Sequence, residues 1–125
     1  MPISILKPEL LSCRRLAHLA RAMLVRFPDD NLVTGYLLNA RVVDGRLEGH
    51  LYKHLWRVRR DGLWITTGEI AGITEYSGCC WVVRTNDDDL YVVADFHPHG
   101  GRQSLRYLAE QFESAARTGS RWCVH

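Results

Sequence analysis

Two Asp-Gly pairs, Asp44-Gly45 and Asp61-Gly62, punctuate the middle of the chain and constrain its fold more than any other feature. A two-residue type I′ turn needs positive φ at its central positions, and Asp-Gly accepts that conformation readily, so each pair marks a β-hairpin. The pairs separate the runs YLLNARVV, LEGHLYKHLWRV and LWITT. EIAGITEY, CCWVVRT and LYVVADF follow, the last two joined by a turn at Asn86-Asp87-Asp88-Asp89. Short connections enforce antiparallel neighbours, because a parallel pair needs a long crossover. The segment from about Leu32 to Phe96 is therefore expected to form a five- to six-stranded antiparallel meander. Gly49, Gly68, Gly72 and Gly78 favour strong curvature, approaching closure.

Helical patterns flank the meander. Pro8 suits a first helical turn, Glu9 complements the helix dipole, and Pro28 stops the helix, which predicts a helix from Pro8 to Phe27. At 100° per residue, Leu10, Leu16, Leu19, Ala20, Met23, Leu24 and Phe27 share one side. Arg14, Arg15, His18, Arg21 and Arg26 share the other. A second helix is predicted from Gln103 or Ser104 to Thr118. Leu105, Leu108, Ala109, Phe112, Ala115 and Ala116 form its apolar stripe, and Gly119 its stop. The expected fold class is α+β: one curved antiparallel sheet with an N-terminal and a C-terminal helix, residues 1–125 forming a single domain. Most of Trp56, Trp64 and Trp81 are expected in its core.

No apolar run approaches the ~20 residues that span a bilayer, and the first residues are too short an apolar stretch for a signal peptide. The chain reads as cytoplasmic, with no membrane partner. Cys13, Cys79, Cys80 and Cys123 show no metal or redox spacing and read as free thiols. The formal charge of +2 is unevenly spread. Residues 1–28 hold five basic side chains and one acid, whereas residues 61–100 hold one arginine and seven acids. Such segregation bears on partner choice rather than on fold.

The stretch Asp95-Phe96-His97-Pro98-His99-Gly100-Gly101 invites a catalytic or metal reading, especially if His50 and His54, four apart on a strand, join its two histidines around zinc. His-Pro-His has no fixed ligand geometry, however, and no acid or cysteine completes a known spacing. The proline ends a strand and the glycines allow a sharp turn, so the stretch reads first as a strand-to-helix hinge. Glu69 or Glu75 would serve as general acid or base only if buried. With no nucleophile elbow and no phosphate loop, the chain leans away from an enzyme: no catalytic residue, metal or cofactor is assigned. The candidate contact residues are the basic helix face, Arg14, Arg15, His18, Arg21 and Arg26; a second basic cluster, Arg57, Arg59 and Arg60; and the acidic turn Asp87, Asp88 and Asp89. The basic clusters suit phosphates or an acidic protein surface, and the acidic turn a basic groove.

Residues 49–93 also resemble small uncharacterised proteins of phages and proteobacteria. The resemblance rests on Gly49, His50, Tyr52, Asp61, Gly62, Ile65, Thr66, Thr67, Ile70, Arg84, Thr85 and Tyr91. Gly68 stands where that pattern has serine, and Asp88-Asp89 replaces its second turn glycine. The resemblance implies a mobile-element origin and, by analogy with anti-CRISPR and other anti-defence inhibitors, a protein that covers the surface of a host protein or ribonucleoprotein. The alternatives are a nucleic-acid-binding module built on the first helix, and a small hydrolase or transferase using His97 or His99.

Overall fold

A computed structural model describes residues 12–25, 32–56, 59–76 and 80–122, with side chains described as far as residue 116. The order is α1 (Cys13–Leu24), β1 (Gly35–Val43), β2 (Arg46–Tyr52), β3 (Leu63–Tyr76), β4 (Cys80–Thr85), β5 (Leu90–Val93) and α2 (Gly101–Trp122). The chain thus has the expected α+β architecture, with five strands between two helices.

The five strands close into a barrel in sequence order. Every consecutive pair is antiparallel, and the closing pair, β1 with β5, is parallel through Gly35–Tyr91, Tyr36–Val92 and Leu37–Val93. Parity requires this: in a five-strand meander the first and last strands run the same way. Asp44 (φ 53°) and Gly45 (φ 75°) form the expected tight turn between β1 and β2. Asp61-Gly62 behaves differently. β2 ends at Tyr52, and residues 53–62 form a longer connection, pinned where Lys53 N–H donates to Asp61 Oδ1 (2.8 Å) and Gly62 N–H to the Leu51 carbonyl (2.7 Å). LWITT and EIAGITEY form one strand rather than two. The residue expected to separate them, Gly68, sits at a bulge: Arg46 pairs with Glu69 but Glu48 with Thr66. The buried Thr67 hydroxyl fills the interrupted ladder by accepting Leu47 N–H (3.1 Å).

Strand alternation builds two cores. Leu37, Leu47, Leu51, Ile65, Val83, Tyr91 and Val93 point into the barrel, where Leu105 of α2 joins them. Leu38, Tyr52, Cys80 and Val92 face outward and are covered by Leu19 and Ala22 of α1. All four residues of β5 are therefore buried, which explains its unbroken apolar sequence. Trp81 belongs to the inner core, but Trp56 is 69% and Trp64 40% exposed, so two of the three expected core tryptophans lie at the surface.

Both helices depart from their expected limits. Ser12 caps α1: its backbone is extended and its Oγ accepts Arg15 N–H (3.2 Å), so the helix starts at Cys13 rather than Pro8. It ends at Leu24, with Val25 extended. Pro8, Leu10, Phe27 and Pro28 lie outside the described residues. Its docked face is also rotated from the expected one. Leu19 and Ala22 are buried with Arg15 and His18 beside them, leaving Leu16 (55%), Met23 (43%) and Leu24 (82%) exposed. α2 begins at Gly101, two residues early, because that glycine packs directly on β1. A Cβ there would strike the Ala40 carbonyl oxygen and lie 3.0 Å from His97 Cβ. Gly119 does not stop the helix, which continues to Trp122. Among the described residues no helix is long and apolar enough to cross a membrane.

Candidate functional site

The site begins at an irregularity in β1. Leu38 pairs with His50 but Arg41 pairs with Glu48, so Asn39 and Ala40 share a bulge, and Asn39 adopts φ 60°, a left-handed conformation that asparagine tolerates. The chain leaving β5 plugs into this bulge. Ala94 N–H donates to the Leu37 carbonyl (2.9 Å), Ala40 N–H to the Asp95 carbonyl (3.2 Å) and His97 N–H to the Ala40 carbonyl (2.9 Å). The Asp95 side chain is thereby buried. Its Oδ1 accepts Asn39 N–H (3.1 Å), and its Oδ2 lies 3.5 Å from Arg15 Nε and 3.6 Å from His18 Nδ1. Arg15 also donates from Nη2 to Asn39 Oδ1 (2.8 Å). The bulge, the buried carboxylate and α1 form one polar joint. The charge of Arg15 is committed to that joint rather than offered to a partner.

Beside the joint lies a cleft of about 710 Å³. Arg14, His18 and Arg21, spaced i, i+4, i+7 along α1, line one wall; His97, Pro98 and Arg102 line the other. The half-buried Phe96 contributes apolar surface, and the lining also includes the buried Trp81 and Ala94. The Arg102 guanidinium lies 4.3 Å from the Phe96 ring centroid, an arrangement that orients its donors. His97 Nδ1 accepts His99 N–H (3.0 Å), which leaves Nε2 to carry the proton of the neutral ring. Desolvation, then the charges of Arg41, His99 and Arg15, hold the His97 pKa below its ordinary value, with Glu48 opposing. Among the described residues, the cleft is lined by four arginines and two carboxylates, Glu75 and Asp95. Its described lining is basic and more polar than apolar, an environment that favours negative charge.

The sequence candidates are sorted by this geometry. Arg14, Arg15, His18 and Arg21 meet at the cleft, joined by His97 of the hinge. Arg26 and Arg57 lie outside the described residues. Arg59 and Arg60 are exposed at the opposite end of the barrel, so the described members of the two basic clusters do not form one patch. Thr34 ties the two loops of that end together: its carbonyl accepts Leu55 N–H (2.8 Å) and its hydroxyl accepts Leu90 N–H (3.0 Å). The acidic turn is there too and is partly engaged internally. The Thr85 hydroxyl donates to Asp87 Oδ1 and accepts Asp89 N–H (3.2 Å), while Asp87 and Asp88 are exposed and Asp89 half-buried.

The rings of His97 and His99 adjoin, with centroids 5.5 Å apart, but His50 and His54 do not join them in one cluster. His50 Nδ1 donates to the Gly62 carbonyl (2.9 Å) and its ring meets Trp64 edge-on. His54 lies beyond the end of β2, so the two do not share a strand face. Among the described residues no three His, Cys, Asp or Glu side chains are grouped to hold a metal. Sequence reasoning missed Asp95, Asn39 and Arg102. The available signal was an acid within an otherwise apolar run, VVADF, where an unpaired carboxylate would be costly to bury. No family model, curated protein or solved structure matches the chain.

Proposed function

We propose that the chain acts by binding, and that its contact face is the basic cleft between α1 and the start of α2. The observation that carries this reading is the convergence of Arg14, Arg21 and Arg102, from two helices distant in sequence, on one concave surface. Such a surface attracts an acidic partner and excludes basic ones through its field. The resemblance of residues 49–93 to phage proteins supplies the setting: a mobile-element protein that covers an acidic surface of a host protein or ribonucleoprotein, in the manner of anti-defence inhibitors. Nucleic acid alone is the second reading, favoured by the arginine content of the same cleft.

The test is capture of partners from a bacterial lysate by the tagged protein, with and without nuclease, beside the variant Arg14→Glu/Arg21→Glu/Arg102→Glu. A discrete partner that survives nuclease and is lost with the variant supports the proposal. Capture that is unchanged by charge reversal refutes it, and recovery of nuclease-sensitive material alone replaces it with the second reading.

A further inference from the structure

We infer that the cleft recognises a phosphate group carried on an organic moiety of about nucleotide size. This rests on the binding reading above and goes further, because it names the ligand chemistry. Three observations converge on it.

The first is charge. Among the described residues, the cleft is lined by four arginines against the carboxylates of Glu75 and Asp95. The excess of two positive charges is matched by a phosphate monoester dianion, whereas a single carboxylate would leave half of it uncompensated. Two phosphodiesters of a nucleic-acid strand would match it equally.

The second is the kind and placement of the cations. All are arginines, in a chain with only two lysines, Lys7 and Lys53. The planar guanidinium fork binds phosphate oxygens in pairs, which an ammonium does not. Arg102 is held over Phe96, so less side-chain freedom is lost on binding. Arg15 is spent on Asp95 and Asn39, whereas Arg14 is exposed on the same α1 wall. His97 adds a donor at Nε2, since its Nδ1 is occupied by His99 N–H.

The third is size and polarity. About 710 Å³ is far more than one phosphate needs and falls within the ~300–1,000 Å³ typical of small-molecule sites. The half-buried Phe96 adds an apolar patch for the rest of the molecule.

The test is isothermal titration of the whole protein with adenosine 5′-monophosphate, with adenosine as the uncharged control, with a short glutamate peptide as the carboxylate control, and with a short oligouridylate. Amide chemical-shift mapping locates each binder. The expected result is binding of the monophosphate or the oligouridylate, mapped to residues 14–21 and 97–102, with little affinity for adenosine or the peptide. Arg14→Gln and Arg102→Gln should each weaken it about tenfold, the effect of losing one charge-assisted contact. Preference for the monophosphate identifies a free phosphorylated small molecule, and preference for the oligouridylate identifies a nucleic-acid strand. Four outcomes overturn the inference: no binding of either phosphate probe, equal binding of the glutamate peptide, mapping to the Arg59–Arg60 end, or indifference to both glutamine variants. Loss of partner capture on charge reversal without phosphate binding would leave the proposed function standing and remove this inference alone. Phosphate binding with capture unaffected would do the reverse.

Discussion

Asp95 holds α1, the β1 bulge and the chain leaving β5 together, and replacing it isolates that joint. Its carboxylate accepts one backbone N–H and faces two side chains whose own exposures, 34% for Arg15 and 33% for His18, let water compensate part of any loss. A hydrogen bond to a charged group contributes about 1.5–3 kcal/mol, and the Asn39 N–H bond belongs to that class. The partly solvated Arg15 pair adds about 1 kcal/mol or less. Asp95→Ala should therefore destabilise the fold by about 3 kcal/mol, allowing for the bond and the pair together. Asp95→Asn keeps an acceptor for Asn39 N–H and loses only the charge, so it should cost about 1 kcal/mol. Urea unfolding followed by tryptophan fluorescence measures both. A double-mutant cycle with Arg15→Ala should show coupling of about 0.5–1 kcal/mol. Equal costs for the alanine and asparagine variants, or an alanine variant within about 0.5 kcal/mol of the parent, would refute the reasoning, because surface changes are of that size.

Other outcomes are expected elsewhere. Leu105 is fully buried where α2 meets the barrel interior, so Leu105→Ala should cost about 2–5 kcal/mol in the same assay. Gly101→Ala should destabilise by about 1–3 kcal/mol despite alanine's better helix propensity, because the new Cβ meets the Ala40 carbonyl; a gain in melting temperature would contradict the packing described. The Tyr91 hydroxyl is pushed up to about 12 by burial, then by Asp89, with Arg59 opposing. Because the unfolded chain ionises first, this stabilisation is complete below pH ~10 and is lost as the pH rises towards 12. Ultraviolet titration of the parent against Tyr91→Phe should show the missing phenol among the last to ionise. His97 should titrate below its ordinary value by histidine NMR; a midpoint above it would contradict the desolvation and the nearby charges of Arg41, His99 and Arg15 that hold it down.

The contrast between the two Asp-Gly pairs shows how far local signals reach. Asp44-Gly45 sits between strands of matching register and forms the turn its dihedral preferences dictate. Asp61-Gly62 has the same preferences, but the strand before it ends at Tyr52, so the pair closes a longer loop. Gly68 punctuates the sequence as a breaker would, yet ladder bonds on both sides carry β3 through it as a bulge. In α1 the amphipathic period was legible but its docking was not. A buried carboxylate from the far end of the chain draws in Arg15 and His18 and turns Leu16, Met23 and Leu24 outward.

The cleft has the same origin. Its α1 stripe, Arg14, His18 and Arg21, was readable because helical spacing is local. Its other wall was not, because Arg102 reaches it only when the barrel closes and α2 starts against Ala40. Thus the amino-acid sequence alone determined the two helices, the antiparallel meander and the basic face, which depend on residue period and turn chemistry over a few positions. The tertiary structure decided the closure of β1 on β5, the rotation of α1 and the pairing of Asp95 with Arg15. Each of these depends on contacts between residues more than 50 positions apart, whose register no local pattern encodes.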